Sequence, residues 1–162
     1  MRRHLFLLLT MLCGTSLWAQ PAQVQQKTYA LDQQHWLHVS YRGNQLLYMG
    51  PVTCLHLQRC GPEGRHYVYG ADGALQRVID YGFSPTKQFE GVPDRVWTAT
   101  YFDSQGRVQK IIHAERCGEC DAMPTGIWTY FKNGKLVKRI HALKNPDVLL
   151  DEASASDAWE AQ

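Results

Sequence analysis

Trp128-Thr129-Tyr130-Phe131-Lys132-Asn133-Gly134-Lys135-Leu136-Val137-Lys138-Arg139-Ile140 reads as a strand, a tight turn and a returning strand. Asn-Gly supplies the two left-handed residues that a two-residue hairpin turn needs. The aromatic and β-branched flanks suit a pleated sheet, with Trp128 and Tyr130 on one face. The phrase recurs upstream. Residues 96–102 and 108–114 flank Gly106, and residues 66–69 and 75–81 flank Ala71-Asp72-Gly73. A degenerate first copy turns at Arg42-Gly43-Asn44, with strands expected over residues 36–41, 45–49 and 52–57. Turn glycines at roughly 30-residue intervals are the mark of a repeat architecture. They also interrupt any helical reading of these segments. The expected fold is all-β, an antiparallel array of β-hairpins in a meander sheet.

The ends differ from this pattern. Met1-Arg2-Arg3-His4 is basic, residues 5–12 are almost wholly apolar, and small and polar residues lead to Leu17-Trp18-Ala19. This order is that of a secretory signal peptide, with cleavage expected after Ala19. The apolar run is short for a membrane span. Residues 20–28 are polar and Gln-rich and read as a flexible leader into a repeat domain over residues 29–144. Residues 82–94, with Gly82, Pro85, Gly91 and Pro93, read as an irregular loop. Asn145-Pro146-Asp147 marks a helix start. A short helix and a frayed acidic tail are expected over residues 145–162.

Charge narrows the function classes. The chain has 17 basic and 15 acidic residues. Loss of Arg2 and Arg3 with the leader brings the mature part to formal neutrality. No basic patch points to nucleic acid. No further segment reads as membrane-embedded, so the expectation is a periplasmic or secreted protein that is not integral to a membrane.

Four cysteines remain after the leader: Cys54, Cys60, Cys117 and Cys120. An even count in an exported chain points to two disulfides. Three pairings are possible, and the local one, Cys54–Cys60 with Cys117–Cys120, places each pair in an equivalent connection leading into a repeat. Closing such short loops stabilises by about 2 kcal/mol each. Cys117-x-x-Cys120 also has redox and zinc-ligand spacing. Its flanks read as strand and turn, whereas a reactive pair wants a helix N-terminus. His113-Ala114-Glu115 ahead of it imitates a zinc deaminase signature, but a single residue, Arg116, separates parts that must lie on two helices.

No other constellation carries chemistry. Six histidines beyond the leader are scattered, none with a carboxylate at ligand spacing. There is no nucleophile elbow and no phosphate loop. The expectation is a protein that is not an enzyme and has no cofactor or metal. The aromatic set Tyr67, Tyr69, Trp97, Tyr101, Trp128 and Tyr130 recurs on the first strands of successive units. It reads either as core and cross-strand packing or as an exposed stripe that anchors a partner.

The stretch Gly126-Ile127-Trp128-Thr129-Tyr130-Phe131-Lys132-Asn133-Gly134-Lys135-Leu136-Val137 resembles the MORN-repeat variant, found in bacterial proteins labelled YwqK-type antitoxins. Residues 97–108 match it less well, and residues 66–75 keep Tyr69, Gly73 and Leu75. The spacing here is longer than in that family, and the extra length carries the cysteines and the Gly/Pro loop. The resemblance implies a β-hairpin array and a binding role, and assigns no catalytic residue. It leads to the expectation of an immunity-like protein that binds a toxin or effector protein. An envelope module that stacks cell-wall glycan on aromatic residues is the alternative.

Overall fold

The structure, a computed structural model, describes residues 23–56, 59–89, 92–117, 120–144 and 146–159. The expected leader and its cleavage site lie outside the described residues. The elements are β1 (Val24–Ala30), β2 (His35–Arg42), β3 (Gln45–His56), β4 (Arg59–Pro62), β5 (Gly64–Tyr69), β6 (Leu75–Phe89), β7 (Val92–Phe102), β8 (Val108–Arg116), β9 (Met123–Lys132) and β10 (Lys135–His141). A single 3-10 turn (Ala142–Lys144) then leads to α1 (Pro146–Ser156). All strand pairs are antiparallel, in the order β1-β2-β3-β5-β6-β7-β8-β9-β10, with β4 paired to β3 off this path. This is the all-β meander with a short C-terminal helix that the repeat pattern predicts.

The repeat is visible in the backbone. Hairpins β2–β3, β5–β6, β7–β8 and β9–β10 turn at Gly43, Gly73, Gly106 and Gly134, all with positive φ. At the last turn Asn133 (φ 52°) precedes Gly134 (φ 74°), the left-handed pair that Asn-Gly favours. Every one of these hairpins carries a register break beside its turn, which leaves one extra residue on the returning strand: Leu47, Gln76, Gln109 and Val137. A one-residue bulge increases the local right-handed twist, so the four units bend alike.

One face of the sheet is covered. Directly paired residues share a face, and the ladders on this face run Ser40, Tyr48, Val68, Arg77, Tyr101, Lys110, Tyr130, Lys138 and His66, Ile79, Ala99, Ile112. α1 packs on β8 and β9, and Leu149, Ala153 and Ala158 join Ile79, Ala99, Ile112, Ala114 and Trp128 in the core. Alanines at 99, 114 and 153 keep side-chain bulk out of the sheet–helix contact. Full burial of Ile79, Ile112 and Trp128 contributes about 2–3 kcal/mol each.

Three expectations are corrected. Residues 24–28, read as leader, form most of β1, because the outer edge of β2 offers their backbone a ladder of partners. Of residues 82–94, read as a loop, residues 82–89 instead extend β6 and residues 92–94 open β7, with a register break between Phe83 and Gln88 that accommodates Pro85. The tail is ordered through residue 159: Asp157 and Ala158 are buried, because their polar groups find partners on the sheet.

Gly50 on β3 faces the ring of His66, and a Cβ built there would lie 1.9 Å from His66 Nδ1. A Gly50→Ala variant is expected to lose 3 kcal/mol or more, or to fail to fold, the cost of overpacking a fixed ring. Gly82→Ala, whose Cβ would meet Val96 Cγ2 at 3.9 Å, is expected to change the urea midpoint little.

Candidate functional site

The six aromatic residues singled out in the sequence do not form one surface. Trp97 and Trp128 lie in the core at 3% and 0% exposure. Tyr101 and Tyr130 pack against that core, half-buried on the same covered face. Tyr67 points the other way, paired with Val78 and Met49. Tyr69, beyond the bulge, borders a cavity. Trp128 therefore presents no ring face to a sugar. Its Nε1–H donates to the His113 carbonyl at 2.8 Å, tying β9 to β8.

A different aromatic chain crosses the covered face. His38, Tyr48, His66, Tyr81 and Trp97, from β2, β3, β5, β6 and β7, stand in ring contact, with centroids 5.9, 5.5, 4.7 and 6.2 Å apart in turn. The last turn of α1 and the segment after it lie over this chain as a strap. Trp97 Nε1–H donates to Ser156 Oγ at 2.7 Å, and Tyr81 OH donates to Asp157 Oδ1 at 2.7 Å. The Ala158 N–H returns a bond to Tyr81 OH at 3.1 Å. Arg77 Nη1 donates to the Ala155 carbonyl at 2.6 Å, and the Trp159 ring stands edge-on to His38 at 5.7 Å. Asp157 Oδ2 lies 3.6 Å from Arg116 Nη1, with the carboxylate fully buried.

Burial sets the protonation states here. It holds the His66 imidazole down at about 4, so the ring is neutral at pH 7. His66 accepts from Tyr48 OH at Nδ1 and donates from Nε2 to the Glu63 carbonyl. Burial pushes the Tyr48 phenol above its usual range. Tyr81 is pushed further up by burial and by the adjacent Asp157 charge. Tyr130 rises to about 12, through burial and then Glu152. These hydroxyls are donors held in place, not bases.

The opposite face carries a polar ladder, Asp80, Thr98, His113 and Thr125, around a shallow hollow of about 340 Å³. Thr98 Oγ1 and His113 Nδ1 are hydrogen-bonded at 2.9 Å, and burial lowers the His113 pKa. Asp80 does not orient that histidine, because its carboxylate is engaged by Arg65 at 2.8 and 3.2 Å. An acid–base–nucleophile relay is therefore not assembled here.

The cysteines form Cys54–Cys60 and Cys117–Cys120 disulfides. Cys54 and Cys60 oppose one another across β3 and β4. Cys117–Cys120 follows the end of β8 rather than opening a helix, so no helix dipole lowers a thiol there. Among the described residues no group of three or more His, Cys, Asp or Glu could hold a metal. None of their helices is long and apolar enough to cross a membrane.

Tyr48, His66, Tyr81, Asp157 and Trp159 escape the sequence reading. The alternation from Ile79 to Tyr81 on β6 is a signal for the inward ring. The Ser-Asp-Ala-Trp end has no local one, since its partners lie on strands far upstream.

Two experiments test the covered face. The unfolded chain takes up a proton on His66 near pH 6.5. The folded chain resists until about pH 4. Stability is therefore complete above pH 6.5 and declines as pH falls toward 4, by about 3 kcal/mol over the whole window. The urea midpoint is expected to follow this with a slope that loses about one proton in His66→Gln. Asp157→Ala removes the carboxylate that takes Tyr81 OH and faces Arg116, and is expected to cost about 3 kcal/mol in urea denaturation. Comparison with known family models, curated proteins and solved structures gives no match for this chain.

Proposed function

We propose that this chain is an exported, non-enzymatic binding protein whose partner is another protein, in the manner of an immunity protein that occludes a toxin or effector. One observation carries the reading: the sheet closes one face with its own C-terminus and leaves the other without a covering element among the described residues. That face carries a continuous ladder from Met49 and Tyr67 through Val78, Thr100, Ile111 and Thr129. Each of these side chains is half-buried by its neighbours. The ladder is apolar and β-branched at its centre, with Lys27 and Arg139 at its ends. An apolar centre with a charged rim is the anatomy of an interface. The basic leader ahead of an apolar run supports export. The resemblance of residues 126–137 to antitoxin repeats supports a protein as the partner.

The exposed edge strands fit the same reading. β10 presents Leu136 and Val137 at 48% and 60% exposure, between Lys135 and Lys138, and edge lysines discourage indiscriminate strand pairing. The partner is therefore expected to dock on the face rather than to add a strand.

The test is affinity capture of the disulfide-bonded chain from the periplasm of its organism of origin. A stoichiometric protein is expected to be retained. Ile111→Glu, at the centre of the ladder, is expected to weaken capture at least about tenfold while thermal stability holds, as for a buried interface residue given a charge. Retention of no protein under conditions that keep control complexes, or capture indifferent to Ile111→Glu, overturns the reading.

A further inference from the structure

The strap does not fill the covered face. Where it ends, a cavity of about 660 Å³ remains over the early strands. Its floor is the ladder Ser40, Tyr48, Val68 and Arg77, in register across β2, β3, β5 and β6. Ala158 borders it from the strap, and Arg42 stands exposed on its wall. Among the described residues, two guanidinium groups and no carboxylate line this space. Inside a concave surface of low dielectric, such a balance attracts an anion.

Arg77 specifies the anion further. Among the described residues its hydrogen bonds leave from Nη1, to the Ala155 carbonyl at 2.6 Å and the Tyr101 hydroxyl at 3.1 Å. The guanidinium lies beside the Tyr101 ring, 5.2 Å from its centroid, and these contacts fix its plane. Its Nε is buried without a hydrogen-bond partner among the described residues. Nε–H and the adjacent Nη2–H form the parallel donor pair that grips a carboxylate side-on. A buried donor of a charged group is seldom left unmet without a reason. The cavity also offers apolar wall from Val68 and Ala158. We infer that this cavity binds a small organic carboxylate. The Nε edge of Arg77 takes its two oxygens, Arg42 adds charge, and the apolar wall takes the body of the ligand. The site lies on the face opposite the proposed protein-docking ladder and does not depend on it. The same chemistry is offered by a free short-chain acid and by the C-terminus of a peptide.

The test is titration of the full, disulfide-bonded, ¹⁵N-labelled chain, followed at the arginine Nε–H signals. The probes are octanoate, octanol, inorganic phosphate, N-acetyl-Gly-Leu and its amide. Octanoate or the peptide acid is expected to move the Arg77 signal saturably. Octanol and the amide are expected to bind at least about tenfold more weakly, the worth of one charge-assisted pair. Tighter binding of N-acetyl-Gly-Leu than of octanoate assigns the site to peptide C-termini, and the reverse assigns it to free acids. Arg77→Lys keeps the charge but removes the fork, and is expected to weaken binding about tenfold. Arg42→Gln, at an exposed position that the strap does not need, is expected to weaken it several-fold with the backbone amide spectrum unchanged. The proposal is overturned by the absence of a saturable shift, or by octanol or phosphate binding as tightly as octanoate. It is equally overturned if Arg42→Gln leaves affinity unchanged.

Discussion

Tyr81, Trp97 and the strap they hold decide what kind of object this protein is. A sheet one layer thick has two faces and a helix too short to cover either. The body of α1 packs on β8 and β9. The bonds from Trp97 to Ser156 and from Tyr81 to Asp157 carry the cover onward to β6 and β7. Without them the aromatic chain from His38 to Trp97 would lie open, and the buried His66 would have no reason to stay neutral. Because Asp157 is buried beside a tyrosine hydroxyl and an arginine, the cover is held by a few directional contacts as well as by area. Such contacts fix one position of the strap, where apolar packing alone would tolerate several.

The asymmetry that follows gives each face its own character. The covered side concentrates rings and unusual protonation states, yet His66 and Trp97 are shut from solvent. The open side has the milder chemistry of threonines, aliphatics and a hydrogen-bonded His113. The rings and shifted groups of the covered side hold the strap in place, and the open side is ordinary in composition.

The hairpins were legible in the sequence because their signals are local. Asn133-Gly134 and Asp72-Gly73 state their own geometry, and Pro146 announces α1 whatever the rest of the chain does. Local pairing of the cysteines follows from their spacing in the same way. The long arms of β6 and β7 were not legible, since Gly82, Pro85 and Pro93 read as turn residues except beside a register break. The strap was illegible for a deeper reason. Ser156 and Asp157 meet partners 59 and 76 positions away, and no window along the chain contains both ends of such a bond. The division of the aromatic set between the two faces at Tyr67 was not legible for want of register: one position along a strand changes the face, and the turn alone does not say which ring points inward.

The strap also sets an order of events. Every hairpin closes on neighbours a few residues away, so zipping the meander requires little loop entropy at any step. The contacts of Arg77 with Ala155 and of Tyr81 with Asp157 span 78 and 76 positions, so neither can form before the intervening strands have been made. Until then the tryptophans stand in water. A nascent chain of this protein thus passes through a sticky, half-clad stage whose length is fixed by translation time, and a stop codon ahead of Ala155 would leave that stage permanent.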